Sequence, residues 1–177
     1  MSDHAASQVA FVGLGSNIGD GIATVRAALA ALDGIEDTQL ARASRLYRTA
    51  AWGVKDQPDF INAVAMLRTR RTPQQLLADM LAIERAAGRD RRADGSDRWG
   101  PRTLDLDLLL FGEQVIQEPG LHVPHPHLHE RAFVLVPLAE IAPDARIPGI
   151  GTAREALSRM ASSEVEGVTY AQPHDAA

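Results

Sequence analysis

The chain has 177 residues, a formal net charge of −5 and no cysteine. That length suits one domain, burying roughly 70% of its extended surface, and the missing thiols exclude a disulfide framework, a thiolate nucleophile and a zinc–sulfur centre. The negative balance works against a nucleic-acid partner held by bulk charge, and no apolar run is long enough to span a bilayer.

The first eight residues lack the basic and apolar regions of a signal peptide, so a cytoplasmic location is expected. Residues 8–14 form an apolar run that suits a strand, and 15–20 carry turn chemistry. Ile22, Val25, Leu29 and Leu32 recur at helical spacing and Gly34 closes that helix. Residues 38–47 suit a second strand, 48–58 a long loop and 60–67 a third strand. Thr72 as N-cap and Pro73 behind it start a helix expected to reach Ala87 and stop at Gly88. A basic loop over 89–101 leads into a central strand over 103–111. Residues 113–116 are its expected hairpin partner beyond Gly112. A Pro/His-rich loop over 120–129, a short helix over 130–141, turns over 143–151 and a last helix over 152–160 follow.

A single catalytic domain over 1–177 is expected, with an ordered core at 8–161 and flexible ends at 1–7 and 162–177. The order β-α-β-β-α-β predicts an α+β, ferredoxin-like sandwich, a mainly antiparallel sheet with helices packed on one face. A doubly wound parallel sheet would alternate strand and helix throughout.

The most informative segment runs from Arg98 to Phe111. In its strand, Asp105 and Asp107 are two apart and share a face, while Leu104, Leu106 and Leu108 point to the other. Two carboxylates this close repel unless a cation lies between them. Carboxylates with phosphate oxygens are the usual Mg²⁺ ligands, and Arg98 and Arg102 just upstream suit phosphate. An edge strand with one solvated face would alternate in the same way; the adjoining arginines favour the metal.

Other features are less specific. No Gly-Lys-Ser/Thr tripeptide occurs, which excludes a P-loop. Gly13, Gly15 and Gly19 are spaced G-x-G-x-x-x-G, one residue off the dinucleotide fingerprint, and no strand-end acid follows about 20 residues later. A tight turn capping the next helix is the preferred reading, and a dehydrogenase is set aside. His122, His125, His127 and His129 alternate around Pro124 and Pro126. Extended backbone there would align three of them for zinc, or leave one on a phosphate and the rest solvated. Phe60 and Asn62 share a strand face, where an aromatic beside an amide could read the edge of a flat heterocycle. An RNA-recognition module is disfavoured, because only 5% of the chain is aromatic and the RNP pattern is absent.

Several blocks together resemble the 6-hydroxymethyl-7,8-dihydropterin pyrophosphokinases. They are Gly-Leu-Gly-Ser-Asn at 13–17, Tyr-Arg-Thr at 47–49, Gln-Pro-Asp-Phe-Ile-Asn at 57–62, Glu84 with Gly88 and Arg89, Arg-Trp-Gly-Pro-Arg-Thr-Leu-Asp-Leu-Asp at 98–107, Val-Pro-His at 123–125, Arg-Ala-Phe at 131–133 and Pro-Leu-Ala-Glu-Ile-Ala-Pro at 137–143. The resemblance implies transfer of diphosphate from ATP to a pterin alcohol, with release of AMP, in folate biosynthesis. It implies that Asp105 and Asp107 hold two Mg²⁺ ions. Glu84, Arg91, Arg98, Trp99, Arg102, His125 and Arg131 would contact ATP, and Arg98 and Arg102 would serve the transfer itself. Thr49, Ala50, Ala51, Trp52, Asn62, Trp99 and Asp105 would line the pterin pocket, with the ring between Phe60 and Phe133. The arginine loop would close over both substrates. A monomer with ATP and a pterin as partners, and neither nucleic acid nor membrane, is expected.

Overall fold

The computed structural model describes residues 6–50, 58–88 and 103–171. β1 (Gln8–Ser16) opens the fold. Its Ala10, Val12 and Leu14 join one apolar cluster, while Phe11 joins another on the opposite face. Asp20 caps α1 (Gly21–Asp33), its carboxylate accepting the Ala23 N–H at 3.1 Å.

The strand expected over 38–47 is broken into β2 (Thr38–Ala43) and β3 (Tyr47–Thr49), both paired with β4 (Phe60–Thr69). Ser44 fills the break. Its N–H donates to the Val64 carbonyl and its Oγ accepts the Val64 N–H, both at 2.9 Å. A side-chain oxygen thus replaces a backbone carbonyl, so the edge bends without orphaning a buried group of β4. α2 (Pro73–Ala86) begins as its sequence predicts, with Thr72 and Gln75 forming a reciprocal capping box. It leads across the basic loop to β5 (Asp105–Phe111).

Beyond β5 the chain departs from expectation. Gly112 makes the turn with φ of 54°, but the next strand does not return to β5. β6 (Ile116–Glu118) pairs instead with β7 (Leu121–Val123) in a small separate sheet. Residues 128–130 form one 3-10 turn, and α3 (Ala132–Ile141) follows. β8 (Arg146–Ile147) and β9 (Gly151–Thr152) form a second small hairpin before α4 (Ala153–Ser158). Residues after Ala161, expected to be flexible, form α5 (Ser162–Glu166) and β10 (Thr169–Tyr170). β10 finds order by pairing with β3, which supplies partners for its backbone groups.

The main sheet has six strands in the order β10-β3-β4-β1-β5, with β2 also on β4, and every pairing is antiparallel. Its layers differ from expectation in one respect: helices cover both faces. Val25 and Leu32 of α1 and Leu76 and Met80 of α2 pack with Val12, Ala63 and Leu106 on one side. Leu135 and Leu138 of α3 and Ala156 of α4 pack with Phe11, Val64 and Leu109 on the other. α3 and α4 lie beyond the β-α-β-β-α-β unit, so its pattern does not specify where they dock. Among the described residues no helix is long and apolar enough to cross a membrane.

Candidate active site

Two rows across the sheet bring the candidate residues together. In one, Asp105 of β5 faces Gly15 of β1, which faces Asn62 of β4, which faces Tyr47 of β3. In the next, Asp107 faces Gly13, which faces Val64. Cross-strand partners share a face, so the carboxylates, the Asn62 amide and Val64 all project on the α3 side. Leu104, Leu106 and Leu108 are buried on the other side, as the alternation requires.

Gly13 falls in the strand as expected, and Gly15, expected in the turn, lies within β1 as well. A Cβ added at Gly15 would stand 3.1 Å from Asn62 Oδ1 and 3.7 Å from the Phe60 ring. Glycine at 15 therefore lets the Asn62 amide and the Phe60 ring close onto β1, while a Cβ at Gly13 would meet Leu109 at 3.5 Å. Alternation was the available signal: Phe11, Gly13 and Gly15 continue one face of the strand.

On the Asn62 side, its Nδ2 donates to Thr49 Oγ1 at 2.7 Å, and both side chains are buried. That bond fixes the amide's orientation. Phe60 stands opposite Thr49 and is half-buried. Ala50 continues directly from β3 and is exposed. Phe133 lies in the first turn of α3, half-buried, with the Arg131 guanidinium 5.7 Å from its ring centre.

On the carboxylate side, the His125 N–H binds the Leu109 carbonyl at 3.0 Å, and its Nε2 stands 3.9 Å from Asp107 Oδ1. Burial first, then the charge of Arg131, lowers its pKa to about 4, against the pull of Asp105. The ring is therefore a neutral imidazole at neutral pH, and its approach to Asp107 is not an ion pair. Glu84 is only 2% exposed, and its Oε1 accepts the Leu106 N–H at 2.9 Å. It thus supports β5 from beneath, a contact its sequence context did not indicate.

Ala51, Trp52, Arg91, Arg98, Trp99 and Arg102 lie outside the described residues. A cavity of about 300 Å³, lined by Ser16, Asp20, Arg48, Asp59 and Ile61 among others, opens on the α1 face and not beside the carboxylates. Its polar lining suits ordered water. The zinc reading of the histidines finds no support. His127 Nδ1 and Glu130 are 3.1 Å apart at the surface, and among the described residues no three His, Asp or Glu groups converge to hold a metal.

Asp105 and Asp107 share a sheet face with Asn62 and Phe60 across β1, and residues 11–143 match the family model of 7,8-dihydro-6-hydroxymethylpterin-pyrophosphokinase (HPPK). The chain belongs to the HPPK family. A 2-amino-4-hydroxy-6-hydroxymethyldihydropteridine pyrophosphokinase of Pseudomonas aeruginosa is 49% identical over 141 residues, covering 80% of this chain and 85% of that one. The protein of the same name from Methylorubrum extorquens is 45% identical over 159 residues, covering 90% and 98%. Among solved structures, a Plasmodium falciparum HPPK-DHPS triple mutant superposes with a TM-score of 0.70 at 14% identity. That likeness is one of fold. It covers 96% of this chain and 48% of the longer one.

The donor set of this HPPK chain suits Mg²⁺. Two carboxylates on one strand face, with no third protein ligand converging among the described residues, fit an ion that completes its shell with water and substrate phosphates. They do not fit a closed protein cage such as structural zinc requires.

Proposed function

We propose that the chain transfers diphosphate from ATP to the hydroxymethyl oxygen of 6-hydroxymethyl-7,8-dihydropterin, releasing AMP, and that it acts as a cytoplasmic monomer. The observation that carries this reading is the placement of Asp105 and Asp107 on the same sheet face as the Asn62–Thr49 pair, across Gly13 and Gly15. Family membership supports the same reaction.

The pterin ring would lie between Phe60 and Phe133, its edge on the Asn62 amide and Thr49. A buried amide already oriented by a neighbour discriminates a donor–acceptor edge better than a free one. The hydroxymethyl oxygen then points toward Asp105 and attacks the β-phosphorus in line; its proton passes to solvent, the bond to the bridging α-phosphate oxygen breaks, and AMP leaves with that oxygen. Such transfers depend on positioning and on neutralising charge. Asp105 and Asp107 would hold Mg²⁺, two ions in the full assembly, and bound Mg²⁺ neutralises phosphate charge. His125, kept neutral, offers a ring N–H to a phosphate oxygen without adding charge beside the carboxylates. Arg131 would bind phosphate from the N-terminus of α3. Arg91, Arg98 and Arg102, with Trp99, would complete the nucleotide side, while Ala50, Ala51 and Trp52 would close the pterin side.

Incubation with ATP and Mg²⁺, with and without the pterin alcohol, tests this reading. Pterin-dependent AMP is expected. ADP as the nucleotide product would mean transfer of a single phosphoryl group and would overturn it.

A further inference from the structure

Glu140 lies in the last turn of α3, the helix that carries Phe133 in its first turn. Seven residues make about two turns, so the two side chains share a face of α3. At its end of the helix, Glu140 reaches across to the start of β3. It accepts a short hydrogen bond from the Tyr47 hydroxyl. It also accepts the Arg45 N–H, at 3.1 Å to Oε2 and 3.3 Å to Oε1, and the Arg45 Nε lies 3.6 Å from Oε1.

Tyr170 of β10 covers this knot. Its ring centre is 5.2 Å from that of Tyr47, and the Arg45 guanidinium lies 4.1 Å from the Tyr170 ring centre. Tyr47 itself is buried and sits directly opposite Asn62. Two residues on, and on the same face of β3, Thr49 accepts the Asn62 amide. The clamp at Glu140 is therefore two strand residues from one proposed wall of the pterin pocket and two helical turns from the other.

β3 is three residues long, and so short a strand has few ladder bonds to hold its distance from a helix above it. We propose that the Tyr47–Glu140 hydrogen bond is a positioning contact for the pterin pocket, fixing the gap between Thr49 on β3 and Phe133 on α3. This inference rests on the functional reading above. Neither residue is among those assigned above to the pterin or to the nucleotide, so the contact is expected to act on the pterin side through Thr49 and Phe133 alone. Burial and the neighbouring Glu140 carboxylate hold the Tyr47 phenol well above its usual pKa, so it remains a donor throughout the working range.

Tyr47→Phe keeps the ring and its packing on Tyr170 and removes only the donor. Glu140→Gln keeps an oxygen that can accept it. Calorimetric titration of a non-hydrolysable ATP analogue with Mg²⁺, followed by the pterin alcohol, separates the two substrates. Tyr47→Phe is expected to weaken pterin binding about tenfold, the loss of one charge-assisted hydrogen bond, with nucleotide affinity unchanged. Glu140→Gln is expected to lose clearly less. Unchanged pterin affinity in Tyr47→Phe would overturn the inference, as would an equal loss for nucleotide, which marks general loosening. A wild-type chain that binds the nucleotide but no pterin would overturn the functional reading and this inference with it.

Discussion

Glu84 of α2 accepts the Leu106 N–H of β5 at 2.9 Å from a position that is only 2% exposed. β5 is an edge strand, with β1 on one side only. The Glu84 carboxylate takes the place of a strand on the other side. Leu106 lies between Asp105 and Asp107, so this bond fixes the outer edge of the peptide that presents both carboxylates, opposite its pairing with β1.

Replacing Glu84 by Ala leaves that N–H buried without its partner. The expected loss is about 1–3 kcal/mol of stability, read from the urea midpoint. Glu84→Gln keeps an oxygen acceptor and should lose less. Equal stability of wild type and Glu84→Ala would show that the bond does not hold β5.

Asp107→Ala should keep the fold, because the carboxylate projects from the sheet and its side chain is 35% exposed. It removes half of the acidic pair. A fall in kcat on the order of a hundredfold or more at saturating Mg²⁺ is expected, comparable with loss of a positioned electrostatic group. Near-normal kcat with an intact melting transition would contradict the role given to this face.

Gly15→Ala tests the close approach of Asn62 to β1. Its backbone is ordinary strand, but the new methyl would press on Asn62 Oδ1 at 3.1 Å. The amide must shift, and with it the bond to Thr49. KM for the pterin should rise several-fold while KM for ATP stays near wild type. An equal change in both would mean that the strain reaches the carboxylates.

Tyr47 should govern part of the alkaline limit of stability. Its folded pKa is raised, by burial first and then by Glu140, above the unfolded value of about 10. The unfolded chain therefore loses this proton first. The contribution is whole below pH of about 10 and is lost as pH climbs from there toward the folded pKa. Wild type should lose more stability than Tyr47→Phe over that rise. An ultraviolet difference titration of the two proteins should show no phenolate from residue 47 while the fold persists.

The β-α-β-β-α-β core was legible because each element carries its own signal. Thr72 and Pro73 mark a helix start that the capping box realises, and the Asp/Leu alternation of β5 fixes which residues face the core. Elements that owe their form to distant partners were not legible. The break at Ser44 depends on Val64, twenty residues away. β10 exists because β3 has a free edge, and β6 turns to β7 although β5 precedes it. In the site, the acidic pair and the Asn62 face could be read from strand period alone. Gly15 could not, since a glycine beside Ser16 and Asn17 resembles a turn until register shows it opposite Asp105. Glu84 was readable as a helix residue, but its bond to Leu106 exists only in the packed fold.

The most direct test follows the fate of the β-phosphorus. ATP labelled at that atom, mixed with Mg²⁺, the pterin alcohol and excess enzyme for a single turnover, should deliver the label to the pterin and leave unlabelled AMP. Label retained in ADP, or released without reaching the pterin, would contradict diphosphate transfer on the face built by Asp105, Asp107 and Asn62.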